Sequence, residues 1–216
     1  MSGALQAVFQ NQRSFAPAAP TVIGEAFGGG FYAGQIGVSS VATHYLIVGP
    51  VASAQNASKQ YKNVGTAVPG ADSVIDGPQN TADMVADGNA TVYPAAHFCN
   101  DLVIGGFSDW YMPAPNELEV CYYNLKPTTV NNNTGAGINP NAVPARASSY
   151  TVSIPAQTSA TDFKDTGAED FAADYYWSSR ESSANYAFSP NFYGGGQGTS
   201  GKTYSLRVRA IRRVAV

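Results

Sequence analysis

The sequence predicts a loop-rich α+β fold, with small mixed or antiparallel sheets and two or three short helices. Three observations carry this. Aromatic and β-branched residues form strand-like runs near both ends of the chain, at Phe31 to Ile36, Tyr45 to Val48 and Leu206 to Ala210. Within residues 24–216, apolar residues at helical spacing fall in three stretches in the middle. Between these runs lie segments rich in Gly, Pro, Asn and Ser, which favour turns and irregular backbone.

In chain order, residues 1–23 read as an arm. Ala4, Leu5, Val8 and Phe9 make one short apolar helical face, and Pro17 and Pro20 block regular structure in the linker after it. Such an arm would attach or oligomerise the protein; the alternative is a frayed tail. The body, residues 24–216, opens with glycines and a strand through Ile36. A hairpin turn between Val38 and Thr43 returns the chain along Tyr45 to Val48. Residues 51–79 are rich in Ala, Ser, Asn, Gly and Pro and read as a long surface loop. Asn80 to Val85 reads as a short helix with a polar cap. Ala95 to Leu102 reads as a second, with Ala95, Phe98, Cys99 and Leu102 on one face.

Pro115 starts a third helix, since a proline's missing N–H would be unpaired at that position anyway. Glu117 and Glu119 suit the positive end of its dipole. Leu118, Cys121, Tyr122 and Leu125 follow at helical spacing. Residues 126–170 are poor in periodicity; a loop this long is functional or disordered, and here it is expected to be mostly ordered. A helical turn is expected at Ala168 to Ala173. Leu206, Val208 and Ala210 alternate with Arg207 and Arg209, the pattern of a half-buried strand.

Length and composition narrow the function. A chain of 216 residues can form one substantial domain, or a domain with an arm. Few charges and many aromatics argue against disorder. A formal net charge of -3 argues against a broad nucleic-acid surface. Two cysteines, Cys99 and Cys121, are too few for a disulfide scaffold or structural zinc site; two reduced core thiols are expected, with a disulfide as the alternative. Met1 to Ala19 has no basic start followed by an apolar run, so no secretory signal is expected. No run approaches the roughly 18 apolar residues that cross a bilayer, so no membrane insertion is expected.

The stretch that ties the chain together is Gly105-Gly106-Phe107-Ser108-Asp109-Trp110-Tyr111-Met112-Pro113, followed by Asn116-Glu117-Leu118 on the third helix. It is answered by Tyr176-Trp177-Ser178-Ser179 and by Arg207-Val208-Arg209-Ala210-Ile211-Arg212-Arg213. This combination resembles phage tail-fibre and tail-tip proteins whose C-terminal domain is of the Lcl C-terminal kind, with a C-type-lectin-like fold. The superfamily also contains the variable proteins of diversity-generating retroelements and, more distantly, the formylglycine-generating enzymes. The resemblance covers roughly residues 24–216. It implies a virion protein that binds a host-surface receptor, glycan or protein, without reaction. A capsid or tail decoration protein is the alternative. It also implies that the first and last strands pair, that the chain is a homotrimer, and that the arm meets other virion proteins.

The residues offer little reactive chemistry. His44 and His97 lack metal spacing. Gly194 to Gly198 has no helix behind it and so makes a turn, not a phosphate cradle. The enzyme relatives need paired cysteines, which the C-terminal half lacks; no enzyme and no cofactor are expected. The calcium-lectin motifs Glu-Pro-Asn and Gln-Pro-Asp are absent. Asp162, Asp165 and Asn133 could hold an ion only in a generic sense. Arg207, Arg209, Arg212 and Arg213 suit carboxylate pairs, with Asp109, Glu117 and Glu119 as candidate partners; the alternative is an anionic ligand.

The candidate binding face lies between Tyr175 and Gln197. Trp177, Phe188 and Phe192 are expected inside. Arg180, Ser182, Asn185, Tyr186, Ser189, Asn191, Tyr193 and Gln197 would then project outward. Tyr gives rigid amphipathic area, and small polar residues give adaptable hydrogen bonds, as on other binding faces. In the retroelement relatives the variable positions fall on this part of the fold. The alternative is an ordinary solvated sheet face.

Overall fold

A four-stranded antiparallel sheet is the centre of the fold, in the order β1 (Ala26–Phe27), β2 (Gly30–Val38), β3 (Val41–Val48) and β8 (Ile211–Ala215). The computed structural model describes residues 18–216. The expected arm therefore falls, for residues 1–17, outside the described residues. β3 and β8 run antiparallel with Ile47 opposite Arg212 and Val48 opposite Ile211, so the start and the end of the described chain meet.

The sheet is covered on both faces. Leu46 and Val48 project to one side, against α4 (Pro115–Leu125) and the rings of Phe163, Phe171, Tyr176 and Phe192. Ile47 projects to the other, against Trp110, Trp177 and the layer of α2 (Gly77–Asp87) and α3 (Pro94–Asn100). The period of two along a strand makes this division. Cys99 and Cys121 are free and buried, one in each apolar cluster. The three expected helices are thus present, each within a few residues of its expected ends.

Three expectations are corrected. Residues 51–79 are more than a surface loop. They hold α1 (Val51–Ala54) and β4 (Gln55–Gln60), and they bury Ala54, Tyr61, Val68 and Ala71. Small side chains permit this close packing without an apolar period for the eye to find. The alternating strand, β7 (Ser205–Arg209), pairs with β4 and not with the first strands. It is not half-buried by alternation either, because Arg209 is buried beside Val208. The expected helical turn at Ala168 to Ala173 is absent; a single 3-10 turn forms earlier, at Thr161–Phe163.

The arginines are structural in the expected sense, with partners partly rearranged. Arg212 forks onto Asp109 at 2.7 and 2.8 Å and lies 3.9 Å over the Phe107 ring. Arg213 donates to Glu117 at 2.7 Å. Burial pushes the Arg213 pKa down, but Glu117, Tyr111 and Asp76 together more than offset this, so the net shift is upward. Glu117 also accepts from the Ala114 N–H at 2.8 Å, closing the start of α4. Glu119 is held by Arg146, Tyr150 and Asn139. Arg209 takes a partner outside the expected set, Glu169, at 2.9 Å.

Candidate functional site

The hairpin of β5 (Tyr186–Pro190) and β6 (Gln197–Gly201) carries most of the expected binding residues. Its register decides where they go. Tyr186 pairs with Gly201 at one end and Pro190 with Gln197 at the other. Four residues at about 3.3 Å each separate these ends by roughly 13 Å. Ser182, Asn185 and Tyr186 therefore sit exposed at one end, away from Asn191, Tyr193 and Gln197 at the other.

One residue of the expected set is not on the surface. Ser189 is buried, with its Oγ 2.8 Å from Ser200 Oγ. Phe188, expected inside, lies on the outer side, half-buried. Phe188 and Ser189 thus exchange the places expected of them, while Tyr186 projects outward as expected. Arg180 makes the exchange possible: its guanidinium lies 4.7 Å over the Phe188 ring while its Nε donates to the Asp72 carbonyl at 2.7 Å. Trp177 and Phe192 are fully buried, as expected.

At the Gln197 end the surface opens into a cleft of about 530 Å³. Its walls come from Val130 to Asn133, Tyr175, Asn191, Tyr193 and the glycine turn at Gly194, Gly196 and Gly198. A smaller recess of about 130 Å³, lined by Arg180, Phe188, Asn116 and Val74, shares Gln197 and Gly198 with it. The structure thus brings together Arg180, Asn191, Tyr193 and Gln197. It leaves Ser182, Asn185 and Tyr186 apart.

The cleft is held by its own backbone. Asn133 N–H donates to Gly194 O at 2.8 Å, Asn191 N–H to Gly196 O at 2.8 Å, and Phe192 N–H to Asp174 O at 2.8 Å. Gly195 has φ +73, and a Cβ there would collide with the Tyr122 ring, so the turn requires glycine at this point. Asn132 anchors the opposite wall from below. It accepts from Tyr122 Oη at 2.8 Å and donates to Pro155 O at 2.9 Å and Thr151 O at 3.1 Å. Lys126, buried and with its pKa lowered by that burial, donates to Val130 O and Pro155 O.

Sequence reasoning missed Tyr175, Asn131 and Asn133 as members of this wall. The run of three asparagines was the available signal. It marked irregular structure, but nothing in its spacing says that the loop returns to the glycine turn.

Reactive groups lie elsewhere and are engaged. His97 Nε2 is 2.7 Å from the Gly88 carbonyl, and His44 Nδ1 is 3.0 Å from Thr43 Oγ1. Burial pushes both cysteine thiols well up, the reverse of what a nucleophilic thiolate needs. Among the described residues no group of His, Cys, Asp or Glu is arranged to hold a metal ion, and no helix is long and apolar enough to cross a membrane.

A search of curated proteins gives no match to this chain. Among solved structures, a fimbrial protein from Bacteroides ovatus is similar, at 13% identity and a TM-score of 0.46. The match covers 84% of this chain but 43% of that one, so this chain spans less than half of its length. Residues 78–212, from α2 through the first residues of β8, match the Lcl C-terminal domain, and the chain belongs to that family.

Proposed function

We propose that this protein is a non-catalytic binding module of a phage tail fibre or tail tip, with a C-type-lectin-like domain over residues 24–216. The cleft at the Gln197 end of the β5–β6 hairpin docks on a host-surface receptor. Residues 1–23 attach the module to other virion proteins, and the module works as a homotrimer carried on the particle. One observation carries the docking reading: exposed tyrosines and amides surround a cleft whose backbone is already fixed by hydrogen bonds. A prearranged site loses less freedom on binding. The pairing of β3 with β8 supports the lectin-like reading, in which the first and last strands meet.

The test is adsorption. Purified full chain should bind host cells and block infection, and Tyr193→Ala with Gln197→Ala should remove both effects without lowering the Tm. Loss on Tyr186→Ala alone, with the cleft variants unaffected, would move the site to the other end of the hairpin.

An apolar cleft of about 430 Å³ favours a second reading, a capsid or tail decoration protein gripping other virion proteins. It is lined by Phe27, Tyr45, Phe107, Val214 and Val216, with Arg212 beside them. Copy number separates the two readings. A decoration protein is present in hundreds per particle, a tail-tip protein in few.

A further inference from the structure

The docking reading leaves the chemistry of the ligand open, and the cleft narrows it. Among the described residues its lining contains no Asp, Glu, Lys, Arg or His. An anionic ligand would find no countercharge there, and a bound calcium ion would find no carboxylate. What the lining does offer is of two kinds. Tyr175 and Tyr193 are 43% and 54% exposed. Around them stand amides with donor groups to spare. The Oδ1 atoms of Asn133 and Asn191 accept from the N–H groups of Gly135 and Tyr193, at 2.9 and 2.6 Å. Their Nδ2 groups have no partner among the described residues, and neither do Gln197 Nε2 or the hydroxyls of Tyr175 and Tyr193. Amides and phenols that can donate and accept suit hydroxyl groups, which do both.

From this lining we propose that the cleft takes an uncharged oligosaccharide, without calcium. Each half of the lining matches one half of a sugar. The C–H face of a pyranose is apolar and carries the slight positive edge that an aromatic face attracts. Its hydroxyls would meet the amides of Asn133, Asn191 and Gln197, which share the lining with the tyrosines. The cleft volume falls within the range of about 300–1,000 Å³ common for small-ligand sites. Gly194, Gly196 and Gly198 keep the wall free of side chains that would hold a ring off the tyrosines. Arg180, the cation in the adjoining recess, stacks on Phe188 and donates to Asp72, so it serves the hairpin first.

This inference rests on the docking reading, and the test separates the two. The full chain is applied to a panel of immobilised neutral oligosaccharides of hexoses and N-acetylhexosamines, with sialylated and sulfated counterparts, in the presence and absence of EDTA. Expected is binding to neutral members only, unchanged by EDTA, and weakened at least about tenfold by Tyr193→Ala, the loss typical of a central aromatic contact. Selective binding of the charged members, or loss with EDTA, overturns the proposal. Host-cell adsorption is measured alongside, before and after periodate oxidation of the cells. Adsorption that needs Tyr193 but survives periodate means a protein receptor: the docking reading stands and the sugar inference falls. Adsorption indifferent to Tyr193 removes the docking reading itself.

Discussion

Arg209 shows how a charged side chain becomes part of a core. It is fully enclosed, yet its donors are engaged: Nε donates to Gly49 O, Nη1 to the carbonyls of Glu169 and Asp170, and Nη2 to the Glu169 carboxylate. The guanidinium plane lies 4.7 Å over Phe171. Burial lowers its pKa to about 10, which still leaves it charged at neutral pH. Removing one member of such a buried pair leaves an uncompensated charge. Arg209→Ala should therefore cost about 3–5 kcal/mol in denaturant melts. Arg209→Lys should recover only part of this, because a lysine has no planar fork. Gly195 makes a different prediction. Gly195→Ala meets the Tyr122 ring at a positive φ, so it should cost about 1–3 kcal/mol. It should also weaken docking, because the turn it distorts forms one wall of the cleft. Neither residue's role was fully legible. The sequence suggested structural arginines, but Glu169 lies in a stretch without periodicity, and only the fold shows that it reaches Arg209.

At the scale of elements, legibility followed periodicity. α4 was readable because Pro115 fixes its start and its apolar residues repeat at helical spacing. The β2–β3 hairpin was readable from its aromatic and β-branched runs. The β5–β6 hairpin was readable as an element but not in register: Phe188 looked like a core residue, and only Arg180, eight positions earlier, explains how it stays outside. The long loop after α4 was the least legible, because side chain to backbone bonds hold it and these leave no period. Asn132 is its anchor, serving Tyr122, Thr151 and Pro155 together. Asn132→Ala leaves the buried Tyr122 hydroxyl without its acceptor, while Pro155 O keeps Lys126, and a buried polar group left unpaired costs about 1–3 kcal/mol. The expected result is a lower Tm, with faster hydrogen exchange concentrated in residues 130–156. Unchanged exchange there would mean that the loop is held by other bonds.

At the largest scale, the described residues pack on both faces of the four-stranded sheet, and arginine–carboxylate pairs tie loops and helix back to it. Arg212 joins β8 to Asp109, and Arg213 joins it to Glu117 on α4. The central aromatic stretch and the C-terminal arginines therefore act as one framework. That framework leaves one end of the β5–β6 hairpin open beside the asparagine wall, and it is there that the proposed docking occurs. The direct measurement is amide hydrogen exchange on the full chain, alone and mixed with host cell-envelope fragments. Local protection reports which backbone is closed off on binding. The account predicts added protection at residues 131–133 and 191–198, with the apolar cleft around Phe27, Phe107 and Val214 unchanged. Protection confined to that apolar cleft, with the asparagine wall and glycine turn exchanging as before, would contradict it.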